Sequence, residues 1–161
     1  MCPDNGPSAW RLVGISALAE AARRGDRRVG TDHLLLGLLA ASDGAAGVAL
    51  GRDLEAARRA LDALDEAALA AVGVRVDVAC ARATAGPLPA RRPVLSSGAR
   101  AVLLRAAELR QLPEPLGTEH ILAALLDTQL PDPAAQLIDA LRVDREQVRR
   151  HLVLVPERAA M

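Results

Sequence analysis

An eleven-residue phrase occurs twice in the chain, VGTDHLLLGLL at 29–39 and LGTEHILAALL at 116–126, 87 residues apart. A phrase repeated at such a distance requires a fold that accepts two copies of one building unit. Each copy has the grammar of a helix start. Gly30 and Gly117 break the preceding segment, and Thr31 and Thr118 stand where an N-cap hydroxyl accepts a backbone N–H. Asp32 and Glu119 fall in the first turn, where negative charge suits the helix dipole. Leu34, Leu35, Leu38 and Leu39 then form an apolar face, matched by Ile121, Leu122, Leu125 and Leu126. His33 and His120 admit three readings: a metal site, a catalytic pair, or two equivalent helix starts. A metal needs three or four converging donors, and no other His- or Cys-rich stretch lies near. The helix-start reading is therefore favoured, and no metal or catalytic residue is assigned.

The duplication extends past the phrase. LGRDLEAARRAL at 50–61 matches LRVDREQVRRHL at 141–152, each a turn into a helix capped by an aspartate, Asp53 or Asp144. A fainter copy, VGVRVDVACARA, lies at 72–83. The expected architecture is all-α: two tandem four-helix repeats related by pseudo-twofold symmetry, with an extra helical segment between them. Its boundaries are repeat one at about 8–64, the insertion at about 65–83, a linker at 84–95 rich in Gly and Pro, and repeat two at about 96–155. All belong to one domain over 1–161. Val72, Val74, Val76 and Val78 alternate as in a strand, but a lone strand would lack a partner, so a turn at 73–76 followed by a short helix is preferred. The first helix starts after Ser8 and stops at Gly25, with Leu12, Ile15, Leu18, Ala19 and Ala22 as its apolar stripe. The sixth helix is expected from near Gly98 to about Leu112.

Composition narrows the function. The chain has no Phe, no Tyr and a single Trp, Trp10, so Ala, Leu and Val must fill the core, and most of the stacking surface that single-stranded nucleic-acid binders use is missing. Twenty basic residues, all Arg, balance twenty acidic ones. That neutrality gives no electrostatic footprint for nucleic acid or anionic membranes. The arginine pairs 23–24, 27–28 and 58–59 read as solvated helix faces. Cys2 and Cys80 form no CxxC pair, and Cys80 reads as a small packing residue. No secretory leader and no membrane-spanning run is recognisable, so a cytoplasmic location is expected. Asp65, Glu66 and Asp77 read as scattered polar-face residues, and no nucleophile–base constellation appears.

With the GTDH and GTEH phrases at matching places and the LG-x-D-L phrase following, the chain resembles the Clp N-terminal (Clp repeat) domain over roughly residues 8–155. That domain precedes the ATPase modules of ClpA- and ClpC-type unfoldases. The 161 residues contain no GxxxxGK[ST] phosphate loop and no Lys to serve one. The resemblance thus implies a free-standing, non-enzymatic binding module without cofactor. Its expected partners are a peptide, a degron or an adaptor protein, phosphoarginine-bearing substrates or a Clp unfoldase, and its expected state is a monomer or weak dimer. In some members the acidic residue of the GTEH phrase contacts phosphoarginine, which implicates Asp32 and Glu119 with their neighbours Thr31 and Thr118. A carboxylate pairs with guanidinium and a helix N-terminus accepts phosphate.

Two departures from the family pattern stand out. Asp32 is one methylene shorter than the usual Glu. The Phe-Thr pair that opens each repeat and borders a hydrophobic groove in ClpC-type domains is replaced by Gly6-Pro7 and by Leu95-Ser96. Trp10 lies near the first of these places, and two roles fit it: a substitute groove aromatic, or core or half-buried packing. Two alternatives accompany the leading function. One is a decoy that sequesters ligands, such as cyclic peptides, that target an unfoldase N-terminal domain. The other is a dimeric structural or stress-related protein joined through an apolar face such as Leu34–Leu39.

Overall fold

The computed structural model describes residues 8–41, 45–85, 93–111, 113 and 115–153. Gly6-Pro7, Cys2 and most of the 84–95 linker lie outside the described residues. The elements run α1 (Ala9–Arg24), β1 (Arg28–Val29), α2 (Thr31–Ala41), α3 (Ala45–Leu50), α4 (Leu54–Ala71), α5 (Val78–Thr84), β2 (Val94–Leu95), α6 (Ser97–Leu109), α7 (Thr118–Leu126), α8 (Pro133–Ala140) and α9 (Arg145–Val153). The architecture is all-α apart from the two-residue strands β1 and β2, which pair in parallel with Val29 opposite Leu95. Sequence reasoning expected no strand here. The pairing is too short for hydrophobic alternation to announce it.

Local chemistry sets the helix ends. Gly25 closes α1 at φ 77°, a left-handed conformation that glycine takes without Cβ strain. Asp53 accepts the Ala56 N–H at 2.7 Å, and Asp144 accepts the N–H groups of Glu146 and Gln147 at 3.0 Å, so both duplicated aspartates cap as expected. The valine segment is not a strand: residues 74–77 are irregular and α5 begins at Val78 behind its Asp77 cap. Helix α4 runs unbroken through the expected boundary at 64 and 65, so residues 65–83 comprise the end of α4, a connecting turn and most of α5. Helix α6 ends at Leu109, three residues before the expected stop.

The core is centred on α2. Thr31 through Leu38 are all buried, so the expected amphipathic helix is a helix buried nearly all round. It packs on α1, α4, α6, α7 and α8. In α7, Ile121, Leu122, Leu125 and Leu126 are buried as expected.

Helix α1 reverses the expectation. Its buried residues are Val13, Ala17, Glu20 and Ala21, while Leu12, Ile15 and Leu18 are exposed, Ile15 at 61%. The physical reason lies at Gly37 of α2. A Cβ built there would stand 2.6 Å from the Val13 carbonyl oxygen and 2.6 Å from the Ala17 nitrogen. Backbones that close admit only small side chains between them, so α1 turns its small face inward and leaves its large apolar residues outside. The matching position in the second phrase is Ala124, which keeps a Cβ.

Glycine thus has opposite values at two positions. Gly37→Ala should cost about 1–3 kcal/mol through overpacking against backbone. Gly14→Ala, in α1 with open space around its Cβ, should gain about 0.5–1 kcal/mol. Urea denaturation of both variants checks the contrast; equal effects would contradict the close approach.

Candidate functional site

Both duplicated phrases begin with the same local device. The Gly30 N–H donates to His33 Nδ1 at 3.0 Å, and the Gly117 N–H donates to His120 Nδ1 at 3.1 Å. Each histidine reaches back one turn to satisfy a donor at its own helix start. The acidic residue between them folds over the glycine: a Cβ on Gly30 would meet the Asp32 carboxylate, and one on Gly117 would meet the Glu119 carboxylate. Glycine therefore leaves room for the carboxylate at each helix start.

Beyond that device the two phrases diverge. The Asp32 side chain is 12% exposed and sits 3.2 Å from His33 Nδ1. The Glu119 side chain is 47% exposed, with Oε1 3.2 Å from His120 Nδ1. His33 Nε2 meets Asp26 Oδ2 at 3.0 Å, and the same oxygen accepts from Arg24 Nε at 3.1 Å. Arg24, whose side chain is only 6% exposed, also reaches Asp65 at 2.6 Å and Asp62 at 3.4 Å. The reading of Arg24 as a solvated helix-face residue is thus overturned: it is the buried hub of an ion-pair chain. Its partner set explains why burial is tolerated, since buried charge persists only when paired and hydrogen-bonded. Arg58 likewise leaves solvent to pair with the buried Glu20 of α1, and Asp65 and Glu66 are structural rather than scattered, Glu66 accepting the Val78 N–H. Burial pushes the Glu20 carboxyl up, but Arg58 and Arg23 outweigh it and hold it below its ordinary value.

Thr31 does not cap its own helix. Its hydroxyl donates to Asp132 Oδ1 at 2.7 Å and accepts the Ala134 N–H at 3.2 Å. It shares the N-terminus of α8 with Asp132, whose carboxylate also accepts the Ala134 N–H at 2.9 Å. A residue of the first phrase thus ties down a helix far along the chain. Thr118 and Glu119 start α7 and are half-buried and exposed respectively. Ser96 caps α6 by accepting the Ala99 N–H at 3.1 Å and donates its own N–H to the Val29 carbonyl at 3.0 Å. Leu95 and Ser96 are thereby brought beside the first phrase. Trp10 is 39% exposed with the Arg11 guanidinium 5.6 Å from its ring centre, half-buried rather than in the core. Cys80 is also exposed, against the packing role expected of it.

Sequence reasoning missed Arg24, Asp26 and Asp132. The last carried a signal, because Asp followed by Pro is a helix-start pair and Pro133 opens α8. Arg24 and Asp26 carried none, since their partners are distant in sequence. Among the described residues no three His, Cys, Asp or Glu side chains converge as a metal site, and no helix is long and apolar enough to cross a membrane.

His33 Nδ1 has opposed neighbours. The Gly30 N–H requires a lone pair there, and the Asp32 carboxylate favours a proton there. Burial disfavours the charged ring, but the Asp26 and Asp32 carboxylates outweigh it and push the His33 pKa from 6.5 up to about 9. A raised folded-state pKa contributes stability that is full below about pH 6.5 and is lost as pH rises through about 9. Thermal stability should fall across that window, by on the order of 1–3 kcal/mol. His33→Gln keeps an acceptor for Gly30 but no titrating proton, and its profile should be flatter. Parallel profiles for the two proteins would contradict the assignment.

No family model matches the sequence, and no curated protein matches it. Among solved structures, the N-terminal domain of the caseinolytic protease associated chaperone ClpD from Arabidopsis thaliana is similar at a TM-score of 0.68 and 21% identity. The match covers 91% of this chain and 93% of that one. Two-strand tie, helix order and buried central helix together accompany a likeness over nearly the whole length of both chains: this chain has the fold of a Clp N-terminal domain.

Proposed function

We propose that the chain is a non-enzymatic protein- or peptide-binding module of a Clp-type proteolytic system, acting as an accessory or regulator of the unfoldase. The observation that carries this reading is the outward face of α1. Leu12, Ile15 and Leu18 stand exposed in one stripe. The charged residues along its exposed side are Arg11 and Arg23, while the acidic residue of α1, Glu20, is buried against Arg58. An apolar surface on a helix otherwise tightly packed is a typical site for a partner segment. The duplicated four-helix organisation, with repeats at about 8–64 and 96–155, is part of the same proposal.

Within it, phosphoarginine is assigned to the second phrase. Glu119 stands exposed at the start of α7, with a carboxylate able to pair with guanidinium, whereas Asp32 is committed to His33 and shielded. The dimer alternative loses its proposed surface, because Leu34, Leu35, Leu36 and Leu38 are buried in the core. Self-pairing through α1 would instead bring arginine against arginine, in either orientation.

The test titrates the protein with one apolar peptide carrying either phosphoarginine or arginine, read by calorimetry and by the fluorescence of the single tryptophan. Ile15→Asp should abolish binding of both peptides. Glu119→Ala should remove the advantage of the phosphorylated one, a loss of about tenfold or more, and Asp32→Ala should leave that advantage in place. Absence of binding to either peptide defeats the module reading; an unchanged advantage in Glu119→Ala defeats the assignment to the second phrase.

A further inference from the structure

Helix α5 belongs to the inserted segment and packs on α4. It is lightly held. Val78 is its buried residue, and residues 79–81 and 83–84 are exposed. Among the described residues three polar ties supplement that contact: Glu66 accepts the Val78 N–H at 3.0 Å, Arg82 Nη1 pairs with Asp62 Oδ1, and Arg82 Nη2 pairs with Asp65 Oδ2 at 3.4 Å. A helix with so little apolar burial belongs to the low-stability end of a fold and can leave it without global unfolding.

The acceptors that hold Arg82 are the same atoms that hold Arg24. Asp62 Oδ1 and Asp65 Oδ2 each receive both guanidinium groups. The pattern repeats one step further along, where Asp26 Oδ2 receives both Arg24 Nε and His33 Nε2. Each carboxylate oxygen has lone pairs for two donors, but two cations drawn to one oxygen repel each other and share its charge, so the departure of one strengthens the hold of the other. The chain of shared oxygens therefore runs from α5 across α4 and the end of α1 to the first phrase on α2.

We propose that α5 is a detachable regulatory helix whose docking on α4 is coupled, through Arg82, Asp62, Asp65, Arg24 and Asp26, to the histidine that organises the first GTDH phrase. When α5 is docked, Arg82 occupies Asp62 and Asp65 and leaves Arg24 available to Asp26. When α5 leaves, Arg24 moves its hydrogen bonding toward Asp62 and Asp65, and Asp26 is left more fully to His33. A positive charge also departs. Both changes favour the imidazolium. The groups facing His33 are Asp26 from the α1–β1 turn, Asp32 from its own helix, and Arg24 at the end of α1 through Asp26. A partner that takes up α5 would thus alter the charge and hydrogen bonding around Asp32. The coupling is a property of the fold and stands whether or not the phrase or the α1 face binds a ligand.

The experiment is an NMR titration of the His33 ring in the intact chain. Arg82→Gln should raise the His33 pKa by about 0.3 units or more. Val78→Ser, which removes the apolar anchor of α5 without changing charge, should shift it the same way and increase amide exchange in α5 alone. Arg59→Gln, an exposed arginine of α4 outside the chain, should leave it in place. A His33 titration identical in wild type and Arg82→Gln overturns the proposal. So does a shift in Arg82→Gln with none in Val78→Ser, which would reduce the link to charge acting through space.

Discussion

The close approach of α1 to α2 at Gly37 is the constraint on which the rest of this structure depends. Two helix backbones meet there with no room for a Cβ. That contact dictates a face of Val13, Ala17 and Ala21 on α1, places α2 at the centre of the molecule, and turns Leu12, Ile15 and Leu18 outward. A protein without Phe or Tyr fills its interior by bringing helices close rather than by inserting large rings. The exposed stripe is the complement of that solution.

The same contact brings charge inside. At the α1–α4 boundary Glu20 meets Arg58, and at the end of α1 Arg24 meets Asp26, Asp62 and Asp65. Such pairs contribute little net stability when compared with apolar replacements, but breaking one leaves an uncompensated charge behind. Their effect is to fix orientation. Arg24 and Asp26 hold His33 against the start of α2, and Thr31 beside it anchors the start of α8. Among the described residues the second phrase keeps its own histidine cap without a surrounding cage, so the similar-looking motifs occupy different environments. That difference assigns a buried, organising part to Asp32 and a solvent-facing part to Glu119.

Much of the fold was legible because its signals are local or repeated. The duplicated phrase, the capping aspartates Asp53 and Asp144, Gly25 at the end of α1 and the helix after Asp77 all rest on interactions spanning a few residues. Periodicity misjudged α1 because it counts apolar residues without regard to size. It favoured the stripe with Leu12 and Ile15, whereas Gly37 favoured the stripe with Ala17. The site was less legible. Arg24 and Asp65 are 41 residues apart, and Thr31 and Ala134 are 103 apart; no local pattern marks either pair. The β1–β2 tie was invisible for the same reason, although it is what carries Leu95 and Ser96 to the first phrase.

The face that α1 presents to α2 can be read directly from short proton–proton contacts in solution. A nuclear Overhauser spectrum of the isotopically labelled chain should show contacts from the Gly37 α-protons to the backbone protons of Val13 and Ala17, with none from the methyls of Ile15 to α2. Contacts from the Leu12 and Ile15 methyls into α2, with Gly37 remote from Ala17, would mean that α1 is rotated to bury its large stripe. The close helix pair and the proposed outward binding face would then both be wrong.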